Sequence, residues 1–358
     1  MKTYRVAVVG TGAIVNSHLR AIQSAGDRAE LVAAVDINEA AVQKFCETNG
    51  VPNAYTSVAD MLAAQKPDLV CVATPPATHK DICVQALDGG AWVYCEKPLC
   101  GSLAQFDEIQ AAEARTGRYV NTVFQWRFGS AVKHIKKLMA QGVLGRPLVS
   151  VCNTVWYRPQ AYYDVSWRGT YASEFGGPTV GLGIHLMDLC FFMMGDWQEV
   201  QANIATLDRK IEIEDISMAM VRFENGALGS IVNSALSPRQ ETYLRLDFQK
   251  ASLEVTALYR ASNENWRFSL PPDVVDPEVT AAWESLDQDI MGAHDQQFKE
   301  LLDSMDAQTR PAVSGDEARR ILEFIASLYK SAATRQVVRR GELTPDDPFY
   351  YSNSGKKA

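Results

Sequence analysis

Tyr4-Arg5-Val6-Ala7-Val8-Val9 runs directly into Gly10-x-Gly12, and 24 positions after Gly12 the apolar run Leu31 to Val35 ends on Asp36. Strand, glycine turn, an amphipathic stretch from His18 to Ala25, and a second strand closing on a carboxylate form a βαβ unit. Glycines at 10 and 12 let the backbone come close to a pyrophosphate at a helix N-terminus, where N–H groups and the helix dipole favour negative charge. Asp36 can accept hydrogen bonds from ribose hydroxyls, so Gly10, Gly12, Ala13, Ile14 and Asp36 are expected around a dinucleotide. A carboxylate at 36 repels a 2′-phosphate, and Ile37-Asn38 offers no arginine to neutralise one. NAD is therefore expected over NADP. Val15 stands where a third glycine or an alanine is usual, so the assignment is carried by the placement of the fingerprint between a strand and a helix, with an acidic residue closing the next strand at the expected spacing.

The alternation continues: helix 39–48, a short strand at Ala54-Tyr55, helix 57–64, strand 69–73, helix 78–87 and strand 91–95. Strands alternating with helices give an α/β fold, a doubly wound parallel sheet with its ligand at the carboxyl ends of the strands. Beyond residue 123 the pattern changes to a helix at 130–141 and strands at 147–157, 199–207, 215–224, 227–236, 243–249 and 251–257, with Asn225-Gly226 as a hairpin turn. That predicts a second α/β domain with a large, mostly antiparallel open sheet. The expected division is 1–123, 124–345 and a polar, loosely ordered tail at 346–358, with helices at about 285–307 and 315–334. Too little helix is available to cover both faces of the second sheet, which points to a homodimer or homotetramer formed through it.

Composition narrows the partners. With 358 residues there is enough chain for two cores, and a net charge of −8 with only short basic runs such as Lys136-Lys137 and Arg339-Arg340 argues against nucleic acid. Seven scattered cysteines with no Cys-x-x-Cys pair read as small buried hydrophobes in a reducing compartment, and no metal-ligand set is visible. No apolar stretch has the length of a membrane span and no secretory leader opens the chain, so a cytoplasmic protein is expected, without membrane partners.

Two strand ends carry distinctive residues. Thr74-Pro75-Pro76-Ala77-Thr78-His79 follows the strand at 69–73, with Thr78 a candidate helix cap, and Glu96-Lys97-Pro98 follows the strand at 91–95. Pro98 holds Lys97 in extended backbone at the mouth of the sheet. Together with Gly10-x-Gly12, His18, Asp36 and the later Gly176-Gly177 to His185-x-x-Asp188 segment, these residues resemble the Gfo/Idh/MocA family, named for glucose-fructose oxidoreductase and inositol dehydrogenase. The resemblance spans essentially the whole chain. It implies a Rossmann domain, a second domain used for assembly, and NAD-dependent oxidoreduction of a CH–OH group of a sugar, sugar derivative or polyol. It also implies Lys97 and His185 as catalytic residues, Thr74, Pro75, His79, Glu96, Lys97 and Gln125 beside the cofactor, and Arg127 beside the substrate. Some relatives cleave glycosides by transient sugar oxidation, and a non-catalytic NAD or sugar sensor is a third reading.

Gly181, His185 and Asp188 are four and three apart, so one helical stripe carries them while Leu182, Leu186, Leu189 and Met193 form a neighbouring apolar stripe. A histidine on such a helix serves either as a satisfied core residue or as a proton carrier. Family members commonly have an aspartate where Gly181 stands. Glu174 or Asp188 is expected to substitute for it, or a substrate hydroxyl to fill its place, or the usual chemistry to be lost. From Trp156 to Tyr171, six of sixteen residues are Trp or Tyr. Tyr157, Trp167 and Arg168 are expected to contact substrate, since aromatic faces stack on sugar C–H surfaces; a loop packing on a neighbouring subunit is the compatible alternative.

Overall fold

The computed structural model describes residues 2–356, arranged as two bodies: one runs to Val123 and adds His294–Arg319, the other comprises Phe124–Ala293 and the chain from Arg320 onward. In the first, strands β1 (Tyr4–Val9), β2 (Ala29–Val35), β3 (Ala54–Tyr55), β4 (Leu69–Val72), β5 (Trp92–Cys95) and β6 (Val120–Thr122) alternate with helices α1 (Val15–Ser24), α2 (Glu39–Asn49), α3 (Val58–Gln65), α4 (His79–Asp88) and α5 (Leu103–Thr116). Every strand pair is parallel, in the order β3-β2-β1-β4-β5-β6. β4 and β5 are buried along their whole length, as strands covered by helices on both faces must be. The order reverses between β1 and β4, which sets the ligand crevice at their carboxyl ends. Side chains of Asn38, Ser57 and Ser102 cap α2, α3 and α5. Thr78 does not cap α4; its hydroxyl donates to Thr74 Oγ1 at 2.8 Å instead.

The second body contains α6 (Ser130–Ala140), β7 (Pro147–Tyr157), the single turns α7 (Gln160–Tyr163), α8 (Tyr171–Glu174) and α9 (Pro178–Gly181), then α10 (Ile184–Met194), β8 (Trp197–Ala205), β9 (Ile216–Phe223), β10 (Leu228–Ser234), β11 (Leu236–Phe248), β12 (Ser252–Ala257), β13 (Trp266–Ser269) and α11 (Pro277–Glu284). After α12 (His294–Ala307), α13 (Asp316–Thr334) and β14 (Val338–Arg339) complete the elements. The eight strands are ordered β13-β12-β11-β7-β10-β9-β8-β14, antiparallel except for β7 beside β10. α10 packs on β7 and β11, and α9 on β9 and β10, so one face of the sheet is covered. β9 alternates strictly between buried and outward positions, and Met218, Met220, Leu228 and Val149 are exposed.

Three expectations need correction. Of the helix expected at 285–307 only α12, from His294, is helical; 285–293 is irregular because the polar run from Asp287 to Asp289 and Gly292 have no helical face to bury, and a separate helix, α11, precedes it and ends at Glu284. α12 belongs to the first body, where Phe298, Leu301, Leu302 and Met305 join the core with Val15, Leu19 and Tyr94. The tail is anchored rather than loose: Phe349 and Tyr350 are buried, Asp347 pairs with Lys330 at 2.7 Å, and the Asn353 amide donates to the Phe175 carbonyl. All seven cysteines are buried, none in a disulfide, and no single helix among the described residues is long and apolar enough to cross a membrane.

Candidate active site

At the carboxyl edge of the first sheet, Gly10 has φ +94°, and a β-carbon there would lie 2.7 Å from the Ala73 carbonyl oxygen, so only glycine fits between β1 and β4. Nothing lies within 4 Å of where a Gly12 β-carbon would be, which leaves the backbone open to a ligand. No side chain caps α1 and no acidic residue stands in its first turn, so Gly12, Ala13 and Ile14 lead into a helix end suited to a phosphate. Asp36 closes β2 and accepts hydrogen bonds from the Thr11 amide and hydroxyl, both at 2.8 Å, and from the Asn38 amide at 3.0 Å. Partial burial pushes its carboxyl up, but those bonds outweigh it and hold Asp36 below the ordinary range. An ionised carboxylate beside an uncapped helix end fits NAD.

His79 is fully buried. Its Nδ1 lies 2.8 Å from the Pro98 carbonyl and its Nε2 2.9 Å from the Thr74 carbonyl. It ties the turn after β4 to the turn after β5 and has no surface left for a cofactor. Two carbonyl partners favour the charged ring, yet burial is the larger effect and lowers its pKa. The Thr74-Pro75 turn itself is partly open.

Glu96 is the most constrained group of this body. Its Oε1 receives His294 Nε2 at 2.8 Å and His18 Nε2 at 3.2 Å, and its Oε2 accepts the Lys97 amide at 3.4 Å. Tyr94 stands edge-on to both rings, 5.2 Å from His18 and 6.3 Å from His294. Burial alone would raise the Glu96 carboxyl, but the two imidazole bonds hold it well below the usual range, while burial lowers His18. The arrangement is therefore an ionised carboxylate shared by the Nε2 atoms of two imidazoles, of which burial keeps His18 neutral. These three residues are metal-ligand types with donor atoms within 4.8 Å of one another; hydrogen bonding within the group accounts for their approach. Lys97 follows, half-buried, on a cis Lys97–Pro98 peptide.

In the second body a 3₁₀ turn, Gln125–Phe128, presents Trp126 to His185, ring centroids 5.3 Å apart and planes 30° apart. Phe124 meets the same imidazole edge-on at 6.3 Å, and the half-buried His185 projects from the first turn of α10. Arg127, expected beside the substrate, is buried and grips Asp188 with Nε at 2.7 Å and a terminal nitrogen at 2.5 Å. The Gln125 side-chain oxygen is buried without a hydrogen-bond partner.

The single stripe of 181, 185 and 188 is interrupted. α9 ends at Gly181 and α10 begins at Ile184, with a 54° bend between the helical stretches. The Gly183 amide closes back on the Pro178 carbonyl at 2.7 Å, and a β-carbon at Gly183 would overlap the Asn233 amide oxygen, so the turn is held tight against β10. Glu214, fully buried, accepts from the Gly177 amide (2.9 Å), the Thr179 hydroxyl (2.7 Å) and the Tyr329 hydroxyl (2.7 Å), which fixes the entry to α9. Neither carboxylate expected to replace an aspartate at 181 is available for that role: Asp188 is held by Arg127, and Glu174 by Arg168 and the Gly169 amide. Arg168 is itself sandwiched between Trp167 and Tyr162, at 4.0 and 3.9 Å. Tyr157 and Trp167 are exposed, as ligand-facing rings would be.

A family model described as the oxidoreductase family with an NAD-binding Rossmann fold matches residues 4–124, and the GFO/IDH/MocA C-terminal domain matches residues 132–254. The chain belongs to the Gfo/Idh/MocA family. Among its relatives, D-apiose dehydrogenase from Paraburkholderia graminis is 24% identical over 99% of this chain and 94% of its own length. Myo-inositol 2-dehydrogenase from Thermotoga maritima is 29% identical over 64% of this chain and 68% of its own. The crystal structure of the WlbA dehydrogenase from Bordetella pertussis, in complex with NADH and UDP-GlcNAcA, superposes with a TM-score of 0.84 at 28% identity, covering 94% of this chain and 99% of that one. As a Gfo/Idh/MocA protein it is an NAD-binding oxidoreductase. Sequence reasoning missed two of its site residues. His294 reaches Glu96 from 198 positions away and Thr11 engages Asp36 from a position of no motif value, so neither leaves a local signal.

Proposed function

We propose that this protein is an NAD-dependent dehydrogenase that transfers a hydride between the nicotinamide and a CH–OH carbon of a sugar, sugar derivative or polyol. The observation that carries the reading is Lys97, seated at the carboxyl edge of a dinucleotide-type sheet directly after a carboxylate held ionised by two imidazoles. Bound NAD supplies the hydride acceptor. Thr74, Pro75, Gln125 and the glycine turn take part in holding it, and Asp36 engages the ribose. Lys97 and His185 handle the hydroxyl proton: in the oxidising direction one of them accepts it, and in the reducing direction the Lys97 ammonium polarises the carbonyl. Trp126 and Phe124 keep the His185 ring in one orientation. Tyr157, Trp167 and Arg168 contribute to the sugar-facing wall, and Arg127 acts through Asp188 to set α10.

The reading is tested by following nicotinamide absorbance with NAD and NADP across a panel of sugars, inositols and glycosides. Stoichiometric NADH with at least one CH–OH substrate is expected; release of aglycone without net NADH would replace dehydrogenation by redox-assisted cleavage. The uncovered sheet face with Met218, Met220, Leu228 and Val149 supports a homodimer or homotetramer, and seven buried cysteines without a disulfide support a cytoplasmic location. Met220→Lys is expected to lower the mass measured by light scattering.

A further inference from the structure

The part-buried arginines of the second body are matched with carboxylates: Arg127 with Asp188, Arg168 with Glu174, Arg209 with Asp208, and Arg320 and Arg340 with Asp196. Arg158 differs. Among the described residues it meets no carboxylate, and its guanidinium donates only to neutral oxygens: the Tyr157 carbonyl at 2.9 Å, the Gln240 side chain at 3.4 Å and the Tyr259 hydroxyl at 3.1 Å. The cation lies over Trp156 at 5.0 Å and Tyr162 at 5.3 Å, aromatic walls that shield it from water on those sides. A second cation stands close by, since Arg209 Nε donates to the Arg158 carbonyl at 2.7 Å and its guanidinium covers the Tyr157 ring at 5.2 Å. Its partner Asp208 is 67% exposed and screened by solvent. In a chain of net charge −8 this is a local excess of positive charge, half-buried and walled by rings.

Its location gives it a use. Tyr259, the hydroxyl partner of Arg158, lines a cavity whose wall also includes Leu186 of α10 and Trp126. Trp126 is the ring lying against His185. The cavity thus lies between a ring that touches the imidazole and a ring whose hydroxyl binds the guanidinium, while His185 and Arg158 themselves stand behind those two rings rather than in its wall. A partly desolvated guanidinium with N–H groups to spare gains most from a planar or tetrahedral oxyanion.

We infer that Arg158, with Tyr259, receives an acidic group of the substrate, so that the protein selects a sugar bearing a carboxylate or phosphate over a neutral polyol. The inference rests on the dehydrogenase reading above for the identity of the ligand, and it narrows that reading from sugars in general to anionic ones.

The test pairs neutral and acidic sugars: D-glucose with D-glucuronate and with D-glucose 6-phosphate, and D-galactose with D-galacturonate. Turnover with NAD and calorimetric binding to the NADH-loaded protein are measured for wild type, Arg158→Gln and Arg158→Lys. Wild type is expected to favour at least one acidic member of a pair, with the uronates and the phosphate separating the two sources of charge. Arg158→Gln should lower the acidic-to-neutral ratio of kcat/KM by about 10- to 100-fold, mainly through KM, with partial recovery in Arg158→Lys. A ratio unaffected by Arg158→Gln, or equal use of neutral and acidic sugars by wild type, overturns the inference. Arg158-dependent binding of an acid with no oxidation of any sugar supports the anion site and overturns the dehydrogenase reading; oxidation of neutral sugars without preference for acids does the reverse.

Discussion

The Arg127 guanidinium holds the Asp188 carboxylate by two hydrogen bonds, 2.7 Å from Nε and 2.5 Å from a terminal nitrogen, and both side chains are buried. The pair joins the 3₁₀ turn carrying Trp126 to the helix carrying His185, so it sets the ring against the imidazole. Removing one partner strands a charge in the interior. Arg127→Ala or Asp188→Ala should each cost about 3–5 kcal/mol in denaturant unfolding. The double replacement Arg127→Met with Asp188→Leu should cost far less than the two single losses added. Additive losses would mean that the two groups do not act as a pair.

Lys97 should be dispensable for the cofactor and indispensable for turnover. Its peptide is positioned by Glu96 and Pro98, neither of which depends on the ammonium. Lys97→Ala is expected to reduce kcat by about 10²- to 10⁴-fold, the usual contribution of a positioned proton-transfer group, while NADH binding followed by fluorescence changes little. Near-normal turnover would remove the lysine from the mechanism.

Asp36 governs cofactor choice through a carboxylate kept ionised by Thr11 and Asn38. Asp36→Ala should weaken NAD about 10- to 100-fold, as losing hydrogen bonds to a charged group does, and should narrow the preference over NADP because the repulsion toward a 2′-phosphate goes with it. An unchanged NAD to NADP ratio of kcat/KM would contradict this.

Acid should destabilise the first body through its buried rings. His18 and His79 have pKa values lowered by burial, so in the folded state they stay neutral at pH values where the unfolded chain, near 6.5, takes up protons. The unfolded state then binds more protons, and stability falls as pH drops below about 6.5, by at most about 1.4 kcal/mol per pH unit for each ring. Glu96 acts lower down: its depressed pKa gives stability that is present above about 4.5 and lost as pH falls through the folded value. His18→Gln should flatten the limb between pH 6.5 and 5 by one proton in urea titrations. An unaltered slope would show that His18 does not titrate there.

The parts of the fold legible in the sequence are those whose cause is local. Alternating apolar runs placed β1 to β6, because a strand covered on both faces must be continuously apolar and the turn between β1 and α1 needs Gly10. The contacts of the site were less legible wherever a distant segment completes them. Nothing in the composition of α12 announces that His294 will share Glu96 with His18, and Arg127 looks like a substrate donor until its buried partner is known. Helical periodicity also overreached at 181–188. It assumes one straight helix, and the tight Pro178–Gly183 turn bends the chain by 54° between Gly181 and Ile184.

That bend bears on Gly181, where the family resemblance leads one to expect an aspartate. Gly181 does not have a left-handed φ, and a β-carbon there would meet nothing within 4 Å, so Gly181→Asp should be accommodated without steric cost. Replacing a helical glycine gains about 0.5–1 kcal/mol, and a carboxylate at a helix C-terminus loses about 0.3–1 kcal/mol. The midpoint of unfolding should therefore hardly move. The effect should fall on the proton chemistry instead. A carboxylate at 181 that reaches across the bend to His185 favours the protonated imidazole, so a step that needs the neutral ring requires a higher pH. The acid limb of kcat against pH should shift upward by about one unit, the size of one favourable charge interaction. If that limb stays where it is while the protein remains folded, position 181 and His185 are uncoupled, and the 54° bend between the two helical stretches is the physical reason.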